Sequence, residues 1–139
     1  MVRVCVDASV AIKWLAPEPG SGSALRLLRG WLEVAELWAP DLLYVEGANA
    51  VRRKAAQGVL APQDALETLR KLFRLPFRVL SAREIVEDAL ELGLAASLKV
   101  WDACYLAVAR RVGAELWTAD EELHSRGRRA YESVHLLRP

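Results

Sequence analysis

Hydrophobic and polar positions along this chain change period several times. Short apolar, β-branched runs at 2–6, 37–39, 77–80, 114–118 and 133–137 read as strands. Between them, apolar residues recur every three or four positions, which predicts helices. Ser9 is placed to cap a short helix through about Leu15, and Pro17-Glu18-Pro19-Gly20-Ser21-Gly22 is a loop. A helix is expected from about Ser23 to Glu36, with Leu25, Leu28, Leu32 and Ala35 as its core stripe. Pro40-Asp41 opens the next, which ends near Gln57-Gly58 and buries Tyr44, Ala48, Val51 and Ala55. A second stripe on that helix, about 60° wide, carries Glu46, Asn49 and Arg53. Pro62-Gln63-Asp64 starts a helix through about Phe73. Ser81 and Glu84 form a capping box for one reaching about Leu98. Trp101 to Val112 is apolar almost all round and is stopped by Gly113, and Asp120-Glu121-Glu122 begins a short last helix.

Strands alternating with helices predict an α/β fold: a mainly parallel sheet covered on both faces, with its site at the carboxyl ends of the strands. The 139 residues fit one domain, 1–139, large enough to bury its own core. A formal net charge of +1 gives no global field for nucleic acid or membrane. No apolar run approaches the ~20 residues of a membrane helix, and the N-terminus has no signal-peptide pattern. Cys5 and Cys104 lie in apolar runs, as buried free thiols do, so a reducing cytoplasm is the expected location.

Candidate chemistry centres on acids. Asp7 is the only charged side chain between Arg3 and Lys13, and Asp102 the only one between Lys99 and Arg110. Asp7 and Asp120 each follow a strand, and Glu46 and Asp102 lie in first turns of helices, so all four can face one edge of the sheet. Each has a local role available: an Asx-turn for Asp7, N-caps for Asp102 and Asp120, a solvated helix position for Glu46. Capping does not require such charge-free surroundings, however. Converging carboxylates take up protons unless a cation keeps them ionised. Hard oxygen donors, with His124 and His135 far apart, point to Mg²⁺ or Mn²⁺ and away from zinc. Such a cation suits phosphate chemistry, because it acidifies a bound water, orients it in line and stabilises the leaving oxygen. Ser9 and Thr118 are placed to hold waters or a phosphate oxygen; capping explains them equally, Thr118-Ala119-Asp120-Glu121 being a capping-box match.

Four stretches together resemble a known family. Val6-Asp7-Ala8-Ser9, Pro40-Asp41-Leu42-Leu43-Tyr44-Val45-Glu46-Gly47-Ala48-Asn49, Asp102-Ala103-Cys104-Tyr105-Leu106-Ala107-Val108-Ala109 and Leu116-Trp117-Thr118-Ala119-Asp120, in this order, are similar to PIN-domain ribonucleases and, among them, to the VapC toxins of toxin–antitoxin pairs. The resemblance spans essentially the whole chain. It implies a PIN-like three-layer α/β/α sandwich and a Mg²⁺- or Mn²⁺-dependent endoribonuclease that hydrolyses RNA phosphodiester bonds. Asp7 and Asp102 match the principal metal ligands, with Glu46 and Asp120 the third and fourth catalytic acids. Ser9, Asn49 and Thr118 match positions that orient substrate or water. Tyr44 and Gly47 beside Glu46, and Trp101 before Asp102, depart from the usual pattern; a Trp at 101 is expected to narrow the cleft.

Partners follow from the same resemblance: an RNA substrate, a VapB-like antitoxin covering the groove, and a second copy in a homodimer. Arg52-Arg53-Lys54, Arg70-Lys71 with Arg74 and Arg78, Arg110-Arg111, and Arg126 with Arg128-Arg129 are candidate phosphate contacts, or solvated faces. Leu66, Leu69, Leu72 and Phe73, with Trp14, Trp31 and Trp38, are core residues or partner surface. Two rival readings are a non-catalytic PIN module binding RNA or protein, and a phosphohydrolase with Asp7 as covalent nucleophile. The latter class carries a second Asp two residues on, where this chain has Ser9.

Overall fold

The structure, a computed structural model, describes residues 1–139. Five strands form one parallel sheet: β1 (Val2–Val6), β2 (Ala35–Pro40), β3 (Phe77–Leu80), β4 (Glu115–Thr118) and β5 (Val134–Leu136), in the spatial order β3-β2-β1-β4-β5. The chain steps outward from β1 to β3, then returns past β1 to lay down β4 and β5. The strand order therefore reverses at β1, and a crevice opens at the carboxyl ends of β1 and β4.

Seven helices cover the sheet: α1 (Ala8–Leu15), α2 (Ser21–Trp31), α3 (Leu42–Ala56), α4 (Ala65–Phe73), α5 (Ala82–Ala96), α6 (Val100–Val112) and α7 (Glu121–Gly127). Right-handed crossovers put α1–α4 on one face and α5–α7 on the other, the three-layer α/β/α arrangement. α6 packs on β1, β2 and β4, and α5 packs over α6. This double cover explains the apolar character of α6: Ala103 through Ala109 are all buried. Gly113, at φ 68, ends it in the left-handed conformation that a side chain disfavours. The Ser81–Glu84 capping box is formed at the start of α5.

Two local expectations need correction. The helix expected to reach Glu36 stops at Trp31; Glu33 turns the chain at φ 76, and Ala35 begins β2 opposite Val2. Pairing with β1 outweighs the helical spacing there, and Leu32 is left exposed. The buried stripe of α3 is Leu43, Gly47, Ala50 and Val51, rotated by about one residue from the expected one. Its cause is the close approach of α4: a Cβ on Gly47 would sit 2.8 Å from Cδ2 of the buried Leu72. Trp14, Trp31, Trp38 and Trp117 pack against the core. Phe77, Trp14, Trp31, Trp117 and His135 form a ladder of ring contacts, with centroids 4.9–6.3 Å apart, linking β3, α1, α2, β4 and β5. Trp38 packs under the Arg78 guanidinium.

Candidate active site

Asp7 ends β1 and starts α1. It is 6% exposed, and every polar contact it makes ties neighbouring elements together. Oδ1 accepts from the Val10 backbone N–H (3.2 Å) and the Ser9 hydroxyl (2.6 Å), while Oδ2 accepts from the Thr118 hydroxyl at the end of β4 (2.6 Å). The residue that caps α1 is thus Asp7, not Ser9. Ser9 Oγ instead accepts from the Ala119 N–H (2.9 Å), and Thr118 Oγ1 accepts from the Asp120 N–H (3.0 Å). Thr118 is fully buried beneath the site, and the capping box expected from Thr118 and Glu121 is not formed. Asp120 caps α7 itself, Oδ1 accepting from the N–H groups of Glu122 and Leu123.

The other acids arrive on helices. Glu46 is half-buried on α3, and its Oε1 accepts from the Tyr105 hydroxyl at 2.5 Å. Asp102 stands in the first turn of α6 but does not cap it; Lys99 occupies the cap position. Tyr105, one turn further along α6, went unnoticed in the sequence. Its signal was available: beyond the Cys104 thiol, it carries the one polar side-chain atom between Asp102 and Arg110. Asn49 Oδ1 accepts from Arg52 Nε at 3.1 Å.

These residues share one cavity of about 470 Å³, lined by Asp7, Ser9, Glu46, Asn49, Asp102 and Asp120, with Arg53 and Tyr105. Of the seven residues singled out from the sequence, only Thr118 lies outside the lining, and it holds Asp7 from below. Trp101 does not narrow the cleft. It is 52% exposed, away from the cavity, with the Lys99 ammonium over its ring.

Burial pushes the Asp7 carboxyl up to about 6, against the opposing hydrogen bonds from Ser9, Thr118 and Val10, and Asp102 adds to the rise. Asp102 is pushed up to about 6 by burial and then by the neighbouring Asp120 and Glu46. Burial raises Glu46 too, opposed by the Tyr105 hydroxyl. These are carboxylates that a cation would keep ionised. The donors are all oxygen. No three His, Cys, Asp or Glu side chains form a ready-made cage. An open acidic cavity without such a cage fits a small hard cation that keeps several waters and takes one or two carboxylates, as Mg²⁺ does.

The sequence model of the PIN domain family matches residues 4–128. The chain belongs to the PIN domain family. Ribonuclease VapC3 of Pyrobaculum aerophilum is 32% identical over 124 residues, which cover 88% of this chain and 92% of that protein. The crystal structure of PAE2754 from the same organism superposes with a TM-score of 0.66 at 26% identity, covering 90% of this PIN chain and 84% of that one. Mycobacterium tuberculosis VapC20, a sarcin–ricin loop cleaving toxin, shares the fold (TM-score 0.69, 18% identity, 89% and 95% of the two chains). So does a chain of a toxin–antitoxin complex from Klebsiella pneumoniae (0.68, 15%, 97% and 98%).

The raised acids of this PIN site have a consequence for stability. The folded chain holds protons on Asp7 and Asp102 up to about pH 6, whereas the unfolded chain releases them near 3.9. Between those values the folded state binds more protons, so these groups make stability fall as pH rises from about 4 to 6. In EDTA, the urea midpoint of wild type should drop from pH 5 to pH 7.5 by more than that of Asp102→Asn, which lacks one carboxylate and its repulsion. Equal pH dependence in the two proteins would show that the acids are not strained.

Proposed function

We propose that this chain is a divalent-metal-dependent endoribonuclease of the VapC type, the toxin of a toxin–antitoxin pair. The observation that carries the reading is the shared cavity. Asp7, Glu46, Asp102 and Asp120 come from four different elements, separated by up to 113 positions in sequence, and line one opening at the strand ends. The likeness to Ribonuclease VapC3 supplies RNA as the substrate class. In this reading Asp7 and Asp102 are the principal ligands of Mg²⁺ or Mn²⁺, and Glu46 and Asp120 complete the acidic set. The cation, when bound, acidifies the attacking water and steadies the charge on the leaving oxygen. The protein's part is positioning. Ser9 and Thr118 fix both oxygens of Asp7, Tyr105 fixes Glu46, and Asn49 lines the same cavity, where it is placed to orient substrate or water.

Two partner surfaces belong to the proposal. An apolar groove of about 260 Å³ runs between α3 and α4, with Val51, Leu66 and Leu69 in its walls. It suits an apolar segment of an antitoxin. On α5, Val86, Leu90 and Leu94 are 43%, 52% and 76% exposed at four-residue spacing, a stripe that fits a second copy in a homodimer. The buried, unpaired Cys5 and Cys104 suit residence in the cytoplasm. A non-catalytic PIN module would have no need to keep four acids around one cavity.

Cleavage of end-labelled structured and single-stranded RNAs by purified protein, with Mg²⁺, Mn²⁺ or EDTA, tests the reading. Cleavage should require the metal and fall at least about a hundredfold in Asp102→Asn. Tyr105→Phe, which leaves Glu46 unheld, should lose about tenfold. Cleavage that survives in Asp102→Asn would place the activity elsewhere, and a folded protein with neither Mn²⁺ binding nor cleavage would leave the binding-module reading. Light scattering should give twice the 15.4 kDa chain mass, and Leu90→Glu should return it to one; a wild-type monomer at all concentrations would remove the homodimer.

A further inference from the structure

A second cavity, of about 420 Å³, adjoins the acidic one and shares Ser9, Arg53 and Asp120 with it. Its character is opposite. Lys13 and Lys54 both reach Glu18, Nζ to Oε1 at 2.8 Å and Nζ to Oε2 at 2.5 Å. All three side chains are largely withdrawn from water, at 15%, 12% and 18% exposure. One lysine suffices to neutralise one glutamate, and burying a second cation beside the pair costs desolvation that folding alone does not require. Arg53 adds another positive charge. It is exposed, takes part in neither ion pair, and stands at the boundary between the two cavities. Three cations therefore line a cavity with two carboxylates, Glu18 and the shared Asp120, and leave it an excess of positive charge beside the acidic site. On α3, Arg53 lies on the same face as Glu46 and Asn49, two turns along, so the boundary is set by one rigid helix.

This charge pattern matches a chain of phosphates. We propose that Lys13, Arg53 and Lys54 form a subsite for the backbone phosphate next to the one being cleaved, so that the RNA strand passes from the acidic cavity over Arg53 into the basic one. The inference rests on the endoribonuclease reading. Glu18 holds the two lysines in place and cancels part of their charge; Arg53, unpaired, is free to fork onto phosphate oxygens. Phosphate contacts of this kind fix the register of the strand and carry no base preference.

The test uses a fluorescein-labelled 20-nucleotide single-stranded RNA of mixed sequence. Its binding to Asp102→Asn protein is followed by anisotropy from 50 to 300 mM KCl, alone and combined with Arg53→Gln, Arg53→Lys or Arg29→Gln. Arg29 is exposed in the last turn of α2 and serves as the control. The subsite predicts that Arg53→Gln weakens binding about tenfold at low salt and lowers the slope of log affinity against log salt by about one. Arg53→Lys should restore the slope, and Arg29→Gln should leave it unchanged. In otherwise wild-type protein, Arg53→Gln should raise KM about tenfold and leave kcat within about twofold. Unchanged affinity and slope in Arg53→Gln, with wild-type cleavage still dependent on Asp102, would overturn the subsite alone and leave the cavity's charge to an acidic peptide. Absence of Asp102-dependent cleavage in wild type would instead overturn the nuclease reading beneath it.

Discussion

The placement of a nearly buried carboxylate at the junction of β1 and β4 is the constraint on which the site depends. Left alone, an ionised aspartate in that position would be expelled or protonated. Here it is surrounded by donors: the Ser9 and Thr118 hydroxyls and the Val10 N–H in the first turn of α1. Each donor does a second task. Ser9 and Thr118 accept from the backbone N–H groups of Ala119 and Asp120, so the segment after β4 is tied to the segment after β1. The same bonds that solvate Asp7 therefore aim Asp120 at the cavity. Even so, burial wins over the donors and leaves Asp7 less acidic than usual, a state that favours any cation able to enter.

The remaining acids are brought in by packing. α6 is buried along most of its length against β1, β2 and β4, which fixes Asp102 at the strand-end side of the sheet. Tyr105 then reaches from α6 to Glu46 on α3, bridging helices on opposite faces of the sheet at its open edge. The close approach of Leu72 to Gly47 sets the rotation of α3, and with it the direction of Glu46, Asn49 and Arg53. One face of one helix thus carries both Glu46 in the acidic cavity and Arg53 at its boundary, and the sign of charge changes along it.

Much of this was legible in the sequence, for physical reasons. Asp7 and Asp102 stood out because a charge isolated in a strongly apolar run is costly and needs a cause. The α5 capping box and the Gly113 stop were legible because their chemistry is local. What failed was non-local. Helical spacing extended α2 through Leu32 and Ala35, but strand pairing with β1 claimed Ala35. The buried stripe of α3 shifted because α4 approaches at Gly47. Thr118 read as a cap or as a holder of water or phosphate, and its hydroxyl instead faces Asp7, 111 positions away. The tryptophans read as either core or partner surface, and only the packed fold shows Trp14, Trp31 and Trp117 meeting edge to face across it. The alternation of strands and helices had already brought the four distant acids to one edge of the sheet, and the PIN resemblance added the roles expected of them.

The central claim is that these acids hold a divalent cation between β1 and α6. A crystal soaked in Mn²⁺ near pH 7.5 and recorded at the manganese absorption edge tests it most directly. The account predicts an anomalous peak within coordination distance of Asp7 or Asp102, inside the acidic cavity, and its loss in Asp102→Asn. A clean map in the cavity, or a peak only at surface residues such as His124 or His135, would contradict it.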